Sequence, residues 1–479
     1  MSRIVHWFRR DLRLHDNSAL AAAADAGREV VPVYVLSQWQ GTHGWTGPHR
    51  QQFLCDALGA LDEGLRALGS RLIFREGDPI EALAGVIKEA HAEAVYFNRD
   101  PDPHGREIEK RLEQLGRELG IAVGGFQDVC LHEREEVLNA SGAPYRVFTP
   151  YARAWTKLDK PRLRPAPRAL ATPKDISSLP RPKLSRWGLP RNSAGLEASE
   201  GAARQRWRRF LAERISAYSD SRDLPAAEGT SRLSQDLRHG LISIREIFSD
   251  CESCREQWPA AQRAGVEKFV SELIWREFYS QILWHFPEVL EWEFQEKFRG
   301  MSWPGTKASL MRWQSGETGF PLVDAGMREL QATGFMANRV RMVTAMFLTK
   351  DLQVDWRWGE KFFLQLLTDG EIASNNGGWQ WCAGTGADAA PYFRIQNPWT
   401  QASRHDSNGE YIRRWVPELR DLPVANFFHP PVEGARLASK YPRPMVDHAE
   451  ARARTLDLFA HQSARFSLNF QGQNKREAA

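Results

Sequence analysis

The chain has 479 residues, of which 42% are hydrophobic and 26% are charged. This length predicts about two to four domains, each able to bury its own core. The composition excludes an intrinsically disordered chain and a membrane protein. The 64 basic and 60 acidic side chains nearly cancel, so the net charge of +4 permits a polyanionic partner without requiring one. Packing alone does not explain why there are 18 tryptophans against 9 tyrosines.

The N-terminus carries charge where a secretory signal needs an apolar core, and no apolar run is long enough to cross a bilayer. Five scattered cysteines fit a reducing compartment, so we expect a cytoplasmic protein without membrane contact. Cys251 and Cys254 form a Cys-x-x-Cys pair, but zinc and iron–sulfur sites need about four ligands and no second pair lies nearby. No metal site is predicted.

From residue 1 to about 130, short apolar runs alternate with helical patterns. The runs at 4–8, 30–36, 71–75 and 94–98 are typical of strands, and the patterns between them are typical of helices. Alternation of this kind predicts an α/β domain with a parallel, Rossmann-like sheet.

The remainder divides into a linker, 131–200, and a helical domain, 201–479. Prolines scattered among basic and small residues indicate the linker. Apolar spacing of three and four residues predicts helices at 204–218, 265–286, 320–331, 335–350 and 359–368. Thirteen of the tryptophans lie in this helical half.

Three segments of the helical half combine residues suited to binding a ligand. Residues 229–234, Gly-Thr-Ser-Arg-Leu-Ser, precede a helical stretch, so they indicate either a phosphate site or ordinary capping. In 335–342, helical spacing puts Phe335, Asn338 and Met342 on one face beside arginines, which fits a flat polar ligand or solvated charge next to core.

The cluster at 369–381 joins acids, carboxamides, glycines and indoles, which can read the edge of a heterocycle and stack on its ring. Glu272, Trp275, Arg276 and Tyr279 share one helical face. There Trp275 could stack on a base while Glu272 accepts from it, although buried helical tryptophan is usually core.

Taken in order, these motifs resemble those of the photolyase/cryptochrome flavoproteins, most closely the class I cyclobutane pyrimidine dimer photolyases. The matching motifs include His-Trp-Phe-Arg-Arg-Asp at 6–11, Trp-Arg-Glu-Phe-Tyr at 275–279, Asn-Arg-Val-Arg-Met at 338–342 and the cluster at 369–381. The resemblance extends over the whole chain.

This resemblance implies an α/β antenna domain and an all-α domain that binds FAD. It also implies a second chromophore, which is methenyltetrahydrofolate, 8-hydroxy-5-deazaflavin or a flavin, with Asp102 near the expected antenna position. The usual Asp-Gly-Asp is Asp369-Gly370-Glu371 here, which adds a methylene to the second acid. The implied FAD contacts are Tyr218, Thr230, Ser231, Arg232, Leu233, Ser234, Trp275, Arg276, Asn338, Arg341, Asp369, Gly370, Glu371 and Asn375, the last facing flavin N5.

The implied activity is light-driven electron transfer from reduced FAD to a pyrimidine dimer flipped out of DNA, which splits the cyclobutane ring. Glu272 would stabilise the dimer radical anion, while Trp379, Trp356 and Trp303 match the family's electron-carrying indoles. The implied lesion and DNA contacts are Glu272, Trp275, Asn338, Met342 and Trp381, with Arg222, Arg339 and Gln401 at the DNA backbone. We expect a monomer.

The alternatives are a cryptochrome photoreceptor and photolyases of other specificity. Asn375, where plant cryptochromes commonly have Asp and animal ones Cys, argues against a cryptochrome, as does the expectation that no long signalling tail follows the last helix. The (6-4) photolyases carry a histidine pair that 335–342 lacks, and single-strand DASH-type members usually have Gln in place of Met342.

Overall fold

A computed structural model describes residues 3–26, 29–36, 46–389 and 391–477. Its five-stranded parallel sheet has the order β3-β2-β1-β4-β5. The strands are β1 (Arg3–Phe8), β2 (Glu29–Leu36), β3 (Ile73–Glu76), β4 (Ala94–Asn98) and β5 (Ala122–Phe126). This order confirms the predicted Rossmann-like α/β domain.

The four predicted strands begin within two residues of their positions in the structure. β4 has the predicted bounds, β1 and β2 each begin one residue earlier, and β3 begins two residues later. β5 is missing from the prediction because Gly124 and Gly125 interrupt its apolar pattern and its residues stay partly exposed.

Four helices connect the strands: α1 (Ser18–Asp25), α2 (Pro48–Ala67), α3 (Pro79–Ala90) and α4 (Pro103–Leu119). α3 and α4 begin alike, with an aspartate cap followed by proline. Asp78 accepts hydrogen bonds from the backbone N–H groups of Ile80 and Glu81, and Asp102 accepts one from that of Gly105. The cap therefore fixes Asp102 just beyond the carboxyl end of β4.

Residues 158–199, inside the predicted linker, contain no α-helix and no strand. Their one helical segment is the 3-10 turn Leu184–Trp187. The segment is nevertheless anchored, because Leu170 and Ile176 are buried and the Leu170 N–H donates to the carbonyl of Leu68.

The rest of the described chain is helical, with no strand. The helices are α5 (Phe148–Lys157), α6 (Glu200–Glu213), α7 (Tyr218–Ser221), α8 (Ser234–His239), α9 (Ile244–Gln257), α10 (Ala260–His285), α11 (Lys307–Ser315), α12 (Pro321–Thr333), α13 (Asn338–Met346), α14 (Trp356–Leu366), α15 (Ile372–Ala383), α16 (Pro398–His405), α17 (Glu410–Trp415) and α18 (His448–Glu477). All five helical patterns predicted in this half coincide with helices. One π-helical turn, Phe347–Asp351, follows α13.

One prediction about a helix face is wrong. Phe335 lies outside α13, because left-handed Gly334 ends α12 and α13 begins only at Asn338. Asn338 and Met342 do share a face, since Asn338 Nδ2 lies 3.7 Å from Met342 Sδ.

The chain divides into two compact units. The first comprises Met1–Ser219, Thr230–His285 and Gln365–Glu371, and the second comprises Asp220–Gly229, Phe286–Leu364 and Ile372–Ala479. Packing defines these units, so the functional boundaries at 130 and 200 stay predictions.

Buried ion pairs join the sheet end of the first unit to its helices. Asp128 Oδ1 accepts from Arg13 Nη2 at 2.6 Å and from Arg245 Nη2 at 2.7 Å, and Arg245 Nε also donates to Asp16 at 2.9 Å. Burial alone would raise the pKa of Asp128, but the two guanidinium groups outweigh it and lower that pKa.

We expect Asp128→Asn to lower the free energy of unfolding by about 3–5 kcal/mol, because it leaves the buried Arg13 guanidinium without its paired carboxylate and removes one of the two carboxylates paired with Arg245. Denaturant titration measures the loss. Glu213→Gln is the control, since Glu213 pairs with Arg209 on the exposed surface of α6 and should contribute less than about 1 kcal/mol. Equal losses in the two variants would contradict the prediction.

Candidate functional site

The segment Gln365–Glu371, which carries the predicted flavin contacts Asp369, Gly370 and Glu371, belongs to the first unit. Arginines hold its backbone there. Arg238 Nε donates to the Gly370 carbonyl at 3.1 Å, and Arg50 Nη2 donates to that of Leu367 at 3.1 Å.

Glu371 lies among arginines. Its carboxylate bonds to Arg10, and its Oε2 lies 3.3 Å from Nε of the predicted cofactor residue Arg276. Burial alone would raise the pKa of Glu371, but Arg10, Arg276 and Arg238 lower it to about 2. The longer side chain at this position therefore serves as a permanently ionised anchor.

The predicted phosphate-binding residues 230–234 lead into α8, which begins at Ser234. Leu233 stands at the N-cap position, and no side chain in the described chain caps this helix. Ordinary capping by these hydroxyls, the alternative that the sequence left open, is therefore absent from α8. Arg232 has a positive φ of 53°, and Tyr218 is buried edge-to-face against Phe210 and Phe269.

Helix α10 brings Glu272 and Trp275 onto one face, as predicted. The Trp275 ring is stacked in parallel on Phe148, with ring centres 3.8 Å apart and planes at 4°. Trp275 therefore has one ring face already covered. Glu272 forms an ion pair with Lys268 at 3.0 Å, one helical turn away. Sequence reasoning missed Phe148, because no local pattern connects it to a residue 127 positions later.

In the second unit, α13 carries the other predicted lesion contacts. Asn338 is exposed, Met342 is half-buried beside it, and Arg341 Nε donates to the Met336 carbonyl at 2.7 Å. Arg339 forms an ion pair with Asp223. A DNA phosphate bound by Arg339 would therefore compete with this carboxylate.

Arg222, Trp381 and Gln401 are all half-buried in the second unit. Arg222 lies 3.7 Å from Asp223, Trp381 lies on α15 and Gln401 lies on α16. All three belong to the second unit, and Asp223 links Arg222 to the predicted DNA contact Arg339 because it pairs with both arginines.

Helix α15 places Asn375 beside a buried acid, Glu360. Asn375 Nδ2 donates to the Glu360 carbonyl at 3.0 Å, and Asn376 Nδ2 donates to the Glu360 carboxyl group at 3.0 Å. Burial raises the pKa of Glu360 to about 8, so this side chain is mostly a neutral acid at pH 7. Sequence reasoning missed Glu360, whose only signal is an acid within an apolar helical pattern.

The three predicted electron-carrying indoles have different surroundings. Trp379 is buried against Phe363, with ring centres 4.9 Å apart, and against Trp313 at 6.0 Å. A Cβ on Gly359 would lie 2.1 Å from the Trp379 ring, so α14 must have glycine there. Trp356 is fully buried, and half-buried Trp303 packs edge-to-face on Phe459.

The first unit also contains a cleft beside the carboxyl ends of its strands, the usual ligand position in this type of sheet. Its volume, including space open to solvent, is about 950 Å³. The lining combines apolar and charged side chains: Trp7, Tyr34, Leu54 and Ile108 with Arg9, Arg10, Arg50, Asp100, Asp102 and Arg238. Burial and the nearby Asp100 carboxylate raise the pKa of Asp102.

Two family profiles match the chain. The DNA photolyase profile covers residues 4–172, and the profile described as the FAD binding domain of DNA photolyase covers residues 269–461. The chain belongs to the DNA photolyase family. None of its described helices is long and apolar enough to span a membrane.

Relatives of this photolyase-family chain match along nearly its whole length. The deoxyribodipyrimidine photo-lyase of Escherichia coli is 40% identical, covering 97% of this chain and 99% of the relative. That of Agrobacterium fabrum is 39% identical, covering 95% and 97%. Relatives with this name do not favour the cryptochrome, (6-4) or single-strand alternatives.

Solved structures show the same fold. A class III photolyase from Agrobacterium tumefaciens has a TM-score of 0.89 at 37% identity, covering 97% of this chain and 98% of that one. A photolyase from Sulfolobus tokodaii with two FAD molecules has a TM-score of 0.84 at 28% identity, covering 96% and 100%. A Synechocystis cryptochrome reaches 0.87 at 28% identity, covering 96% and 99%.

The Glu360 acid makes stability depend on pH. Between its ordinary pKa of 4.5 and the folded value of about 8, the unfolded chain ionises while the folded chain does not, so stability falls as pH rises through this window. As pH rises from 5 to 8, we expect the free energy of unfolding of Glu360→Gln to fall less than that of the unsubstituted protein. Denaturant titrations at several pH values measure this, and parallel stability curves would contradict it.

Proposed function

We propose that this protein repairs cyclobutane pyrimidine dimers in DNA, using light and reduced FAD. Family membership supports the reaction class. The observation in the structure that best supports the substrate is the α10 face, where Glu272 lies one turn from a Trp275 ring that is stacked on Phe148. Because Phe148 supports one face of the ring, Trp275 offers a rigid stacking surface for one base.

The residues present fit FAD. The hydroxyls of Thr230, Ser231 and Ser234 accompany an α8 N-terminus without a side-chain cap, which suits phosphate. Arg276 adds a cation, while Asp369 and Asn375 offer acceptor and amide groups for the ring edge. When bound there, reduced FAD would supply reversible, light-driven one-electron chemistry.

The protein's own residues then hold and stabilise the lesion. Trp275 receives a flipped base on the ring face opposite Phe148, and the stacking offsets part of the cost of extrusion. When its ion pair with Lys268 is released, Glu272 in its protonated form donates a hydrogen bond to the dimer and so stabilises the negative charge that develops there. Asn338, Met342 and Trp381 complete the lesion contacts, and Arg222, Arg339 and Gln401 contact the DNA backbone.

We expect the reduced protein to restore a dimer-containing oligonucleotide under blue light. Trp275→Ala should weaken lesion binding by about 1–3 kcal/mol, the usual loss when a base-stacking ring is removed. Trp284→Ala is the control, because Trp284 lies on the same helix but packs beneath Arg106, whose guanidinium is 3.8 Å from its ring. Lesions that persist under light with reduced FAD bound would refute the repair function.

We further propose that the cleft of the first unit holds the second chromophore. Its aromatic and aliphatic wall suits a flat ring system, and its arginines suit an anionic substituent. Methenyltetrahydrofolate, 8-hydroxy-5-deazaflavin and a flavin all remain open, and Asp102 is the predicted contact.

Ile108→Trp should fill this cleft and weaken chromophore binding by about tenfold or more. Each of the three chromophores is titrated into the FAD-loaded protein, and fluorescence is followed. Ile108→Val is the matched control that keeps the cleft open. If a chromophore binds both variants equally, its site lies elsewhere.

Several finer features belong to this proposal. We propose a class I, cytoplasmic monomer with an antenna domain (1–130), a linker (131–200) and a catalytic helical domain (201–479). The five free and buried thiols support a reducing compartment. Light scattering at 54.6 kDa would agree with a monomer.

A further inference from the structure

The indole nitrogen of Trp356 donates to a buried carboxylate. Trp356 Nε1 lies 3.2 Å from Glu293 Oε1, the Trp356 ring is fully buried, and the Glu293 side chain is only 1% exposed. A hydrogen bond to an ionised acceptor is about twice as strong as one between neutral groups. The Glu293 charge is therefore held at the edge of this ring with little solvent screening.

The other two predicted electron carriers lack such a partner. Nε1 of Trp379 and Nε1 of Trp303 are both buried without a hydrogen-bond acceptor in the described part of the chain. An indole that has lost an electron is positively charged, and its N–H becomes far more acidic. Of the three rings, Trp356 is thus the one whose oxidised form is stabilised by an adjacent anion.

A cation near the same ring acts in the opposite direction. The Arg357 guanidinium lies 4.6 Å from the centre of the Trp356 ring, which disfavours positive charge there. Arg357 is itself paired with Glu293 at 3.1 Å and with Asp355 at 3.1 Å, and it is 30% exposed. Its single charge faces two carboxylates and is better screened than Glu293, so the anion prevails at Trp356.

We propose that Glu293 stabilises positive charge on Trp356 relative to Trp379 in the electron relay, an inference that rests on the proposed function. The light-excited oxidised flavin is the oxidant and takes one electron from Trp379. Trp379 then recovers one electron from Trp356, whose Nε1–H bond to Glu293 strengthens, so no proton leaves the pair. The charge stabilised on Trp356 returns to Trp379 less readily, and half-buried Trp303, which is partly solvated, receives it in the forward step.

Glu293→Gln tests this, because glutamine keeps an oxygen acceptor but removes the charge. We expect the yield of the long-lived tryptophan radical after a light flash to fall several-fold, and photoreduction of oxidised FAD to slow with it. Transient absorption measures the radical directly, while FAD content and thermal unfolding verify the fold. If Glu293→Gln does not fold, Glu293→Asp, which withdraws the carboxylate from Nε1, should show a smaller loss in the same measurement.

The matched control is Asp355→Asn. It removes the other carboxylate partner of Arg357 but leaves the bond between Trp356 and Glu293 in place, and asparagine caps a helix as well as aspartate. We expect a radical yield close to that of the unsubstituted protein. If Glu293→Gln behaves like Asp355→Asn, the tuning role of Glu293 is overturned.

Trp356→Phe distinguishes a failure of the Glu293 inference from a failure of the proposed electron relay. Slow photoreduction in Trp356→Phe, together with a normal radical yield in Glu293→Gln, rejects only the role of Glu293. Normal photoreduction in Trp356→Phe removes Trp356 from the relay and rejects the proposed pathway as well.

Discussion

The first unit depends on burying arginine charge without leaving it unpaired. Arg10, at the carboxyl end of β1, is only 8% exposed along its side chain, and it bonds to Asp100 at 2.9 Å and to Glu371. Removing either acid would leave this buried cation only partly compensated, which costs more than an unmade surface ion pair. The position of Gln365–Glu371 therefore follows from charge compensation as much as from apolar packing.

Much of the fold could be predicted because its signals are local. Continuous apolar runs mark β1, β2 and β4, and the three- and four-residue spacing marks the long helices. β5 could not be found in the same way, since its two glycines and partial exposure remove the pattern that burial imposes. The sequence pattern places Phe335 on a helix face, because spacing alone does not distinguish a helix that ends at a left-handed glycine from one that continues.

The candidate site shows the same difference between local signals and long-range contacts. Residue types in 369–381 indicate flavin chemistry, and family motifs supply roles, but the partners that tune those residues are distant in sequence. Phe148 behind Trp275, Glu360 beside Asn375 and Glu293 at Trp356 each depend on long-range packing. The sequence could thus identify the candidate residues, whereas their electrostatic surroundings could be read only from the folded structure.

Two arginines that line the cleft also hold the segment Gln365–Glu371, since Arg238 donates to the Gly370 carbonyl and Arg50 donates to the Leu367 carbonyl. This double use restricts how such a protein can evolve. If the proposed chromophore binds in this cleft, a lineage that stopped using it could lose the apolar lining residues, but it would have to retain these cations to keep Gln365–Glu371 in place. A positively charged cleft in a descendant would then record an ancestral ligand rather than a present one.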